Sequence, residues 1–119
     1  MLDYALTKCS EIPYRRGEAR HFAVITDKRG KVISEGANSY IKTNPRMARA
    51  GKAVGLLDKT CIHAELAAII GDKYSKGYKI TVVRVGAKGQ PMYSEPCCIC
   101  KWLIKKHSCI KEISYSTGS

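Results

Sequence analysis

Hydrophobic and polar residues repeat along this chain with two periods, which predict helices and strands in turn. From Leu2 onward, apolar side chains recur at i, i+3, i+4 and i+7, which predicts an amphipathic helix that ends before Pro13. Residues 20–26 and 31–37 are rich in strand formers and flank the turn signal Asp27-Lys28-Arg29-Gly30. They predict a β-hairpin whose first strand, almost continuously apolar, lies inside a sheet.

The second half of the chain continues in the same α/β order. Residues 60–70 combine apolar positions at helical spacing with alanines, which predicts a buried helix. Residues 78–85 are the clearest strand, because β-branched side chains fill a run between two glycines. Residues 100–106 predict a helix with Trp102 facing inward, and residues 110–115 predict a last strand. This order predicts an α/β fold in which helices flank one sheet.

Length and composition predict a single domain over residues 1–119, with 45% hydrophobic and 26% charged residues. The first residues lack the basic and apolar regions of a signal peptide, and no apolar stretch reaches the roughly 18 residues that span a membrane. Three of the six cysteines crowd into residues 97–100, a spacing that favours a metal over disulfides. We therefore expect a reducing, cytoplasmic location and no membrane partner.

The net charge of +11 predicts a partner that carries phosphate. Cations are concentrated in residues 42–59, where Pro45 could open a short helix. Such a helix would place four cations on one face, namely Lys42, Arg46, Arg49 and Lys52. The sequence leaves open whether this face contacts phosphate or is simply solvated.

Two short motifs carry the chemistry, His63-Ala64-Glu65 and Pro96-Cys97-Cys98-Ile99-Cys100. Zinc accepts imidazole nitrogen and thiolate sulfur, and a catalytic zinc keeps its fourth position for water. Cys97 and Cys100 are spaced i, i+3 at a helix start, so we predict that they bind one zinc together with His63. Glu65 is the predicted general acid/base, which moves a proton from the zinc-bound water to the substrate.

A closed structural zinc site is the main alternative, with Cys98 as the fourth ligand. It would suit a non-catalytic, zinc-stabilised nucleic-acid-binding module. Cys98 falls on a different helical face from its neighbours, and such a site has no use for Glu65, so we favour catalysis. One difficulty is that an ideal helix separates His63 and Glu65 by about 200°. Four other residues were predicted to be structural, His21 and the core-filling Cys9, Cys61 and Cys109.

The two motifs resemble the cytidine/deoxycytidylate deaminase superfamily, which also contains tRNA adenosine and polynucleotide cytosine deaminases. The segment from Cys97 to Ser116, with an apolar helix and a strand that ends at Tyr115, is most similar to the deoxycytidylate-deaminase-like branch. The resemblance implies a three-layer α-β-α cytidine-deaminase-like fold with one mixed sheet of about four strands. It also implies Zn²⁺ as cofactor and a homo-oligomer.

The resemblance further implies a reaction and substrate contacts. Zinc-bound hydroxide would attack C4 of cytosine in a (deoxy)cytidine nucleotide and yield uracil, with Glu65 as proton shuttle. The backbone of Ala64 and Glu95 would hold the edges of the base, and Asn38 would contact the sugar. The alternative substrate is a cytosine or adenine in single-stranded DNA or RNA, which would then be a nucleic-acid partner.

Overall fold

A computed structural model of the chain describes residues 1–16, 19–39 and 63–117. Its helices are α1 (Leu2–Ser10), α2 (Ala64–Gly71) and α3 (Cys98–His107). Its strands are β1 (Arg20–Thr26), β2 (Val32–Ala37), β3 (Lys79–Val85), β4 (Pro91–Met92) and β5 (Glu112–Tyr115). Every helix and strand predicted within these ranges is present. The predicted basic helix over residues 42–59, Cys61 and the side chain of Cys98 lie outside the described residues.

The strands form one mixed sheet in the order β2-β1-β3-β4, and β5 also pairs with β3. The hairpin of β1 and β2 is antiparallel, and β1 lies between β2 and β3, as its apolar run predicted. Along the outer edge of β3, β5 pairs in parallel with the first half and β4 pairs antiparallel with the last two residues. The sheet therefore has five strands, where about four were predicted. The additional strand is β4, whose two residues are too few to produce a periodic signal in the sequence.

The two faces of the sheet are covered by different helices, which confirms the three-layer α-β-α fold. On one face, Ala5 and Cys9 of α1 pack against Val24, Val83 and Val85. On the other face, α2 and α3 pack against the residues of β1 and β3 that alternate with these, Ala23, Ile25, Ile80 and Val82. The two motifs with the predicted metal ligands lie at the starts of α2 and α3, so they lie on this second face.

The structure describes two of the cysteines outside the motifs, and their burial differs. Cys9 is fully buried and its thiol donates a hydrogen bond to the carbonyl of Arg20 at 3.3 Å, which confirms its predicted place in the core. Cys109 is exposed, so its predicted role as core filling is wrong. It follows the end of α3 and precedes β5, where the helical period that would bury it no longer applies.

Gly36 lets α2 lie directly against β2. A Cβ at this position would lie 2.6 Å from Ala67 Cβ and 2.8 Å from the backbone nitrogen of Ala68. The hydroxyl of Ser34 donates to the carbonyl of Ala68 at 2.7 Å and holds the same contact. This close approach sets the distance between the sheet and the helix that begins with the catalytic motif.

We expect Gly36→Ala to lower the free energy of unfolding by about 1–3 kcal/mol, the usual cost of overpacking. Urea denaturation measures the change. The matched test is the same substitution in an Ala67→Gly background, where removal of the opposing methyl group should reduce the loss. An equal loss in both backgrounds would mean that the Gly36–Ala67 contact is not the cause.

Candidate active site

The two motifs begin the two helices on the second face of the sheet. His63 is the N-cap residue of α2 and is extended, with φ −89° and ψ 157°. Cys97 is the N-cap residue of α3, with φ −68° and ψ 171°. Cys100 lies three residues further on, in the first turn of α3, so its side chain returns to the same end of the helix. The partial positive charge of a helix N-terminus stabilises thiolates there.

The three predicted metal ligands converge. Nδ1 of His63 lies 3.2 Å from Sγ of Cys100 and 3.7 Å from Sγ of Cys97. All three ligand atoms lie within 4.8 Å of one another. One nitrogen and two sulfurs at such separations fit a tetrahedral zinc with one position left for another ligand. The donor set of the chain therefore suits Zn²⁺.

A hydrogen bond between the two cysteine side chains shifts their pKa values in opposite directions. A hydrogen bond with Cys100 is the main cause that lowers the pKa of Cys97 to about 3. The same bond is the main cause that raises the pKa of Cys100. Zinc binds both sulfurs as thiolates. Cys97 therefore favours the thiolate form that a metal requires, whereas Cys100 must lose its proton when the metal binds.

Glu65 is the second residue of α2 and its side chain is buried, with 5% of the residue exposed. Burial raises the pKa of its carboxyl, while its hydrogen bond with the backbone, the charge of His63 and a hydrogen bond with Cys100 act in the opposite direction. The carboxyl group is therefore beside the predicted metal ligands. His63 precedes the helix in extended backbone, so the 200° separation expected on an ideal helix does not apply.

His21 and Arg84 belong to the same region, although His21 was expected to be structural and Arg84 carried no prediction. They are paired across β1 and β3 and lie on the sheet face that carries α2 and α3. Burial is the main cause that lowers the pKa of His21 to about 4, and the charges of Arg84 and His63 lower it further. His21 is therefore a neutral imidazole near the predicted ligands. Its period-two alternation with Ala23 and Ile25 was a sequence signal that could have placed it there.

The segment that leads to Cys97 is anchored to the end of β3. The hydroxyl of Ser116 accepts a hydrogen bond from the Arg84 amide at 3.1 Å and donates one to the Met92 carbonyl at 2.5 Å. The Ser94 amide donates to the Ser116 carbonyl at 3.0 Å. These bonds fix the path of the chain between β4 and α3, and so the position from which Cys97 reaches the site.

Asn38, the residue predicted to contact the sugar, forms hydrogen bonds with the backbone at the start of β1. Oδ1 of Asn38 accepts a hydrogen bond from the His21 amide at 2.9 Å, and Nδ2 donates to the Ala19 carbonyl at 3.1 Å. The carboxamide thus joins the end of β2 to the start of β1. A contact between Asn38 and a sugar stays a prediction.

Ala64 directly follows His63 in the chain, and Glu95 lies two residues before Cys97. Ala64 is buried and is the first residue of α2. The Glu95 carboxylate accepts hydrogen bonds from the Tyr93 hydroxyl and from Nζ of Lys101, and the bond from Lys101 is the main cause that lowers its pKa. These bonds orient the residues just before Cys97. Backbone contacts from Ala64 and Glu95 to a base stay predictions.

Comparison with protein families identifies the class to which this fold and donor set belong. The family model described as the cytidine and deoxycytidylate deaminase zinc-binding region matches residues 2–117. Because this match covers nearly the whole chain, the protein belongs to that family, and its cofactor is Zn²⁺. No helix in the described part of the chain is long and apolar enough to cross a membrane.

Solved structures show the same fold at low sequence identity. Cytidine deaminase from Burkholderia pseudomallei is 21% identical, with 89% of this chain and 73% of that chain covered and a TM-score of 0.53. Cytidine deaminase from Mycobacterium tuberculosis is 18% identical, with 99% and 87% covered and a TM-score of 0.54. The enzyme from Mycobacterium leprae is 17% identical, with 96% and 84% covered and a TM-score of 0.54. Among curated proteins, no sequence matches.

Proposed function

We propose that the protein converts cytosine to uracil in a (deoxy)cytidine nucleotide, with deoxycytidylate as the first substrate to test. The observation that carries the proposal is the position of the buried Glu65 carboxyl beside His63, Cys97 and Cys100. A metal site with a purely structural role needs no ionisable group at this place. A hydrolytic site needs one, because the attacking water must lose a proton.

Each residue then has a distinct role. His63, Cys97 and Cys100 hold zinc, which when bound lowers the pKa of a coordinated water to about 7. Glu65 accepts the proton of the attacking water and delivers it to the ring nitrogen of the base. The same carboxylate then takes the proton of the new hydroxyl at C4 and transfers it to the amino group, which leaves as ammonia while C4 becomes the carbonyl carbon of uracil. Burial of Glu65 keeps bulk water away from these proton transfers.

Charge supports a substrate that carries phosphate. The chain has a net charge of +11. Arg84 lies on the site face beside His21, and within the described residues its buried Nε has no hydrogen-bond partner. A guanidinium in this position favours a substrate with negative charge over a neutral nucleoside. The basic segment over residues 42–59 would add to this preference, and its contact with phosphate stays a prediction.

A single-stranded nucleic acid is the second candidate substrate, and an aromatic side chain near the site favours it. Tyr93 is 58% exposed and lies two residues before Glu95. Its ring meets that of Tyr115 edge to face, with the ring centroids 5.8 Å apart. An exposed ring next to the site could stack on a nucleotide that flanks the target base.

The deciding experiment compares kcat/KM for deoxycytidylate, cytidine and a single-stranded oligonucleotide that contains cytosine. We expect kcat/KM for deoxycytidylate to exceed kcat/KM for cytidine by about tenfold or more, which is the effect of one charge-assisted hydrogen bond to phosphate. Arg84→Met should bring this ratio towards one, whereas Lys88→Met, which removes an exposed cation on the β3–β4 turn, should leave it unchanged. Faster turnover of the oligonucleotide would favour the second candidate. Absence of turnover on all three would refute the proposal.

Two broader expectations stay proposals. The resemblance implies a homo-oligomer, and exposed apolar residues at both edges of the sheet support it, Val32 on β2 and Ile113 on β5. A cytoplasmic location is supported by cysteines that are free thiols at the site rather than disulfides.

A further inference from the structure

We propose that the protein has a second binding surface, which takes single-stranded nucleic acid at the end of the sheet opposite to the zinc site. The surface is formed by the turn between β1 and β2 and by the loop between α2 and β3. We name it the hairpin-tip patch and define it by five residues, Lys28, Arg29, Tyr74, Lys76 and Tyr78. The inference does not depend on which substrate the zinc site accepts.

A cavity lies within the hairpin-tip patch. Its volume is about 360 Å³, and its lining residues are Asp27, Lys28, Arg29, Lys76, Gly77 and Tyr78. It is remote from the catalytic residues, since His21 stands near one end of β1 and Asp27 follows the other. Six residues of extended strand separate these positions by about 20 Å. A ligand bound here therefore leaves the zinc site accessible.

Asp72 holds in place the loop between α2 and β3, which carries three of the five patch residues. Its carboxylate accepts hydrogen bonds from the amides of Lys76 at 2.9 Å and Gly77 at 2.8 Å. A Cβ at Gly77 would lie 2.2 Å from Cγ2 of Ile25, so only glycine permits this approach of the loop to β1. These contacts therefore hold Lys76 and Tyr78 in a defined position beside the hairpin turn.

The acidic groups near the patch are directed at backbone amides. Oδ1 of Asp27 accepts hydrogen bonds from the amides of Arg29 and Lys31, both at 2.9 Å. Asp72 is buried and bonds the amides of its own loop. Three cations line the cavity against the single carboxylate of Asp27. The cavity thus presents an excess of positive charge to a ligand.

Aromatic rings accompany these cations. Nζ of Lys28 lies 5.3 Å from the ring centroid of Tyr78, and Nζ of Lys76 lies 5.8 Å from that of Tyr74. Tyr74 is 81% exposed, so its ring is available for stacking. Proteins that hold single-stranded nucleic acid combine cations for the phosphates with exposed rings on which bases stack. A free phosphate or a duplex would use the cations without the ring.

The test is binding of a fluorescein-labelled oligo(dT) of about 16 nucleotides, the upper end of the usual site size. This probe lacks cytosine, so the zinc site cannot deaminate it. We expect Lys28→Ala/Arg29→Ala/Lys76→Ala to weaken binding by about tenfold or more and to reduce the slope of log K against log salt by about 2. Tyr74→Ala should weaken binding by about fivefold or more with the salt slope unchanged, because it removes stacking.

The matched control removes the same number of charges elsewhere, as Lys88→Ala/Lys105→Ala/Lys106→Ala. An equal loss in this control would show that only net charge matters and would overturn the proposal. Two other results would overturn the proposal in favour of a simple anion site. One is that Tyr74→Ala has no effect on binding. The other is that deoxycytidylate or inorganic phosphate displaces the probe at a concentration equal to that of the probe. Deamination of deoxycytidylate should be unchanged in the patch variants. Failure of that activity in the wild-type protein would refute the proposed function and leave this surface standing.

Discussion

Glu65→Gln is expected to lower kcat by a factor of about 10²–10⁴ with the zinc content unchanged. Glutamine has the shape of glutamate and can hold the same place in the first turn of α2. It can neither accept the proton of the attacking water nor deliver one to the departing amino group. The carboxyl is buried beside the predicted metal ligands, whereas the carboxylate of Glu95, two residues before Cys97, is bonded to Tyr93 and Lys101.

Two measurements and a matched control variant make this result interpretable. Metal analysis should give one zinc per chain in both proteins. Thermal unfolding should show that the variant is folded. The matched control is Glu112→Gln, which changes an exposed glutamate on β5 and should retain wild-type turnover. A Glu65→Gln variant that keeps most of its activity would remove this carboxyl from the mechanism.

The chemistry of the site could be predicted from the sequence because it depends on residue types. Zinc needs nitrogen and sulfur donors, and proton transfer needs a carboxyl, so the two motifs sufficed to indicate His63, Cys97, Cys100 and Glu65. The main elements were predictable for a similar reason. Period-two alternation in β1 and helical spacing in α2 follow from burial of one face or one stripe.

Other features depend on tertiary contacts that a local pattern does not contain. The N-cap position of His63 follows from where α2 begins, and helix ends are poorly marked by periodicity. His21 and Arg84 meet only because β1 and β3 are paired, although they are distant in the sequence. β4 exists because two residues bond to the end of β3, and no period can be recognised over two residues.

The position of the hairpin-tip patch also depends on tertiary contacts, because they decide which charged residues lie together. The net charge of +11 predicted a partner with phosphate but did not say where it binds. Lys28 and Lys76 are brought together by the hairpin turn and by a loop that Asp72 fixes through its carboxylate. Charge that appears spread along the sequence is thus concentrated in the fold.

Cys100→Ser should abolish zinc binding and lower both activity and stability. Cys100 is fully buried in the first turn of α3, and its sulfur lies 3.2 Å from Nδ1 of His63. Zinc there would join the start of α3 to the start of α2. At free zinc of 100 to 1,000 times the dissociation constant, a bound metal stabilises the folded state by about 3–4 kcal/mol. We therefore expect a lower melting temperature in the variant, and no response of that temperature to added zinc.

The control is Cys98→Ser, the adjacent cysteine in the same helix. Cys98 is the first residue of α3 and Cys100 the third, and an ideal helix separates two such positions by about 200°. We expect this variant to keep one zinc per chain, wild-type kcat and the rise in melting temperature on zinc addition. Loss of zinc from Cys98→Ser would instead indicate four protein ligands. Such a closed site leaves no position for water, so the same measurement decides between a catalytic and a structural metal.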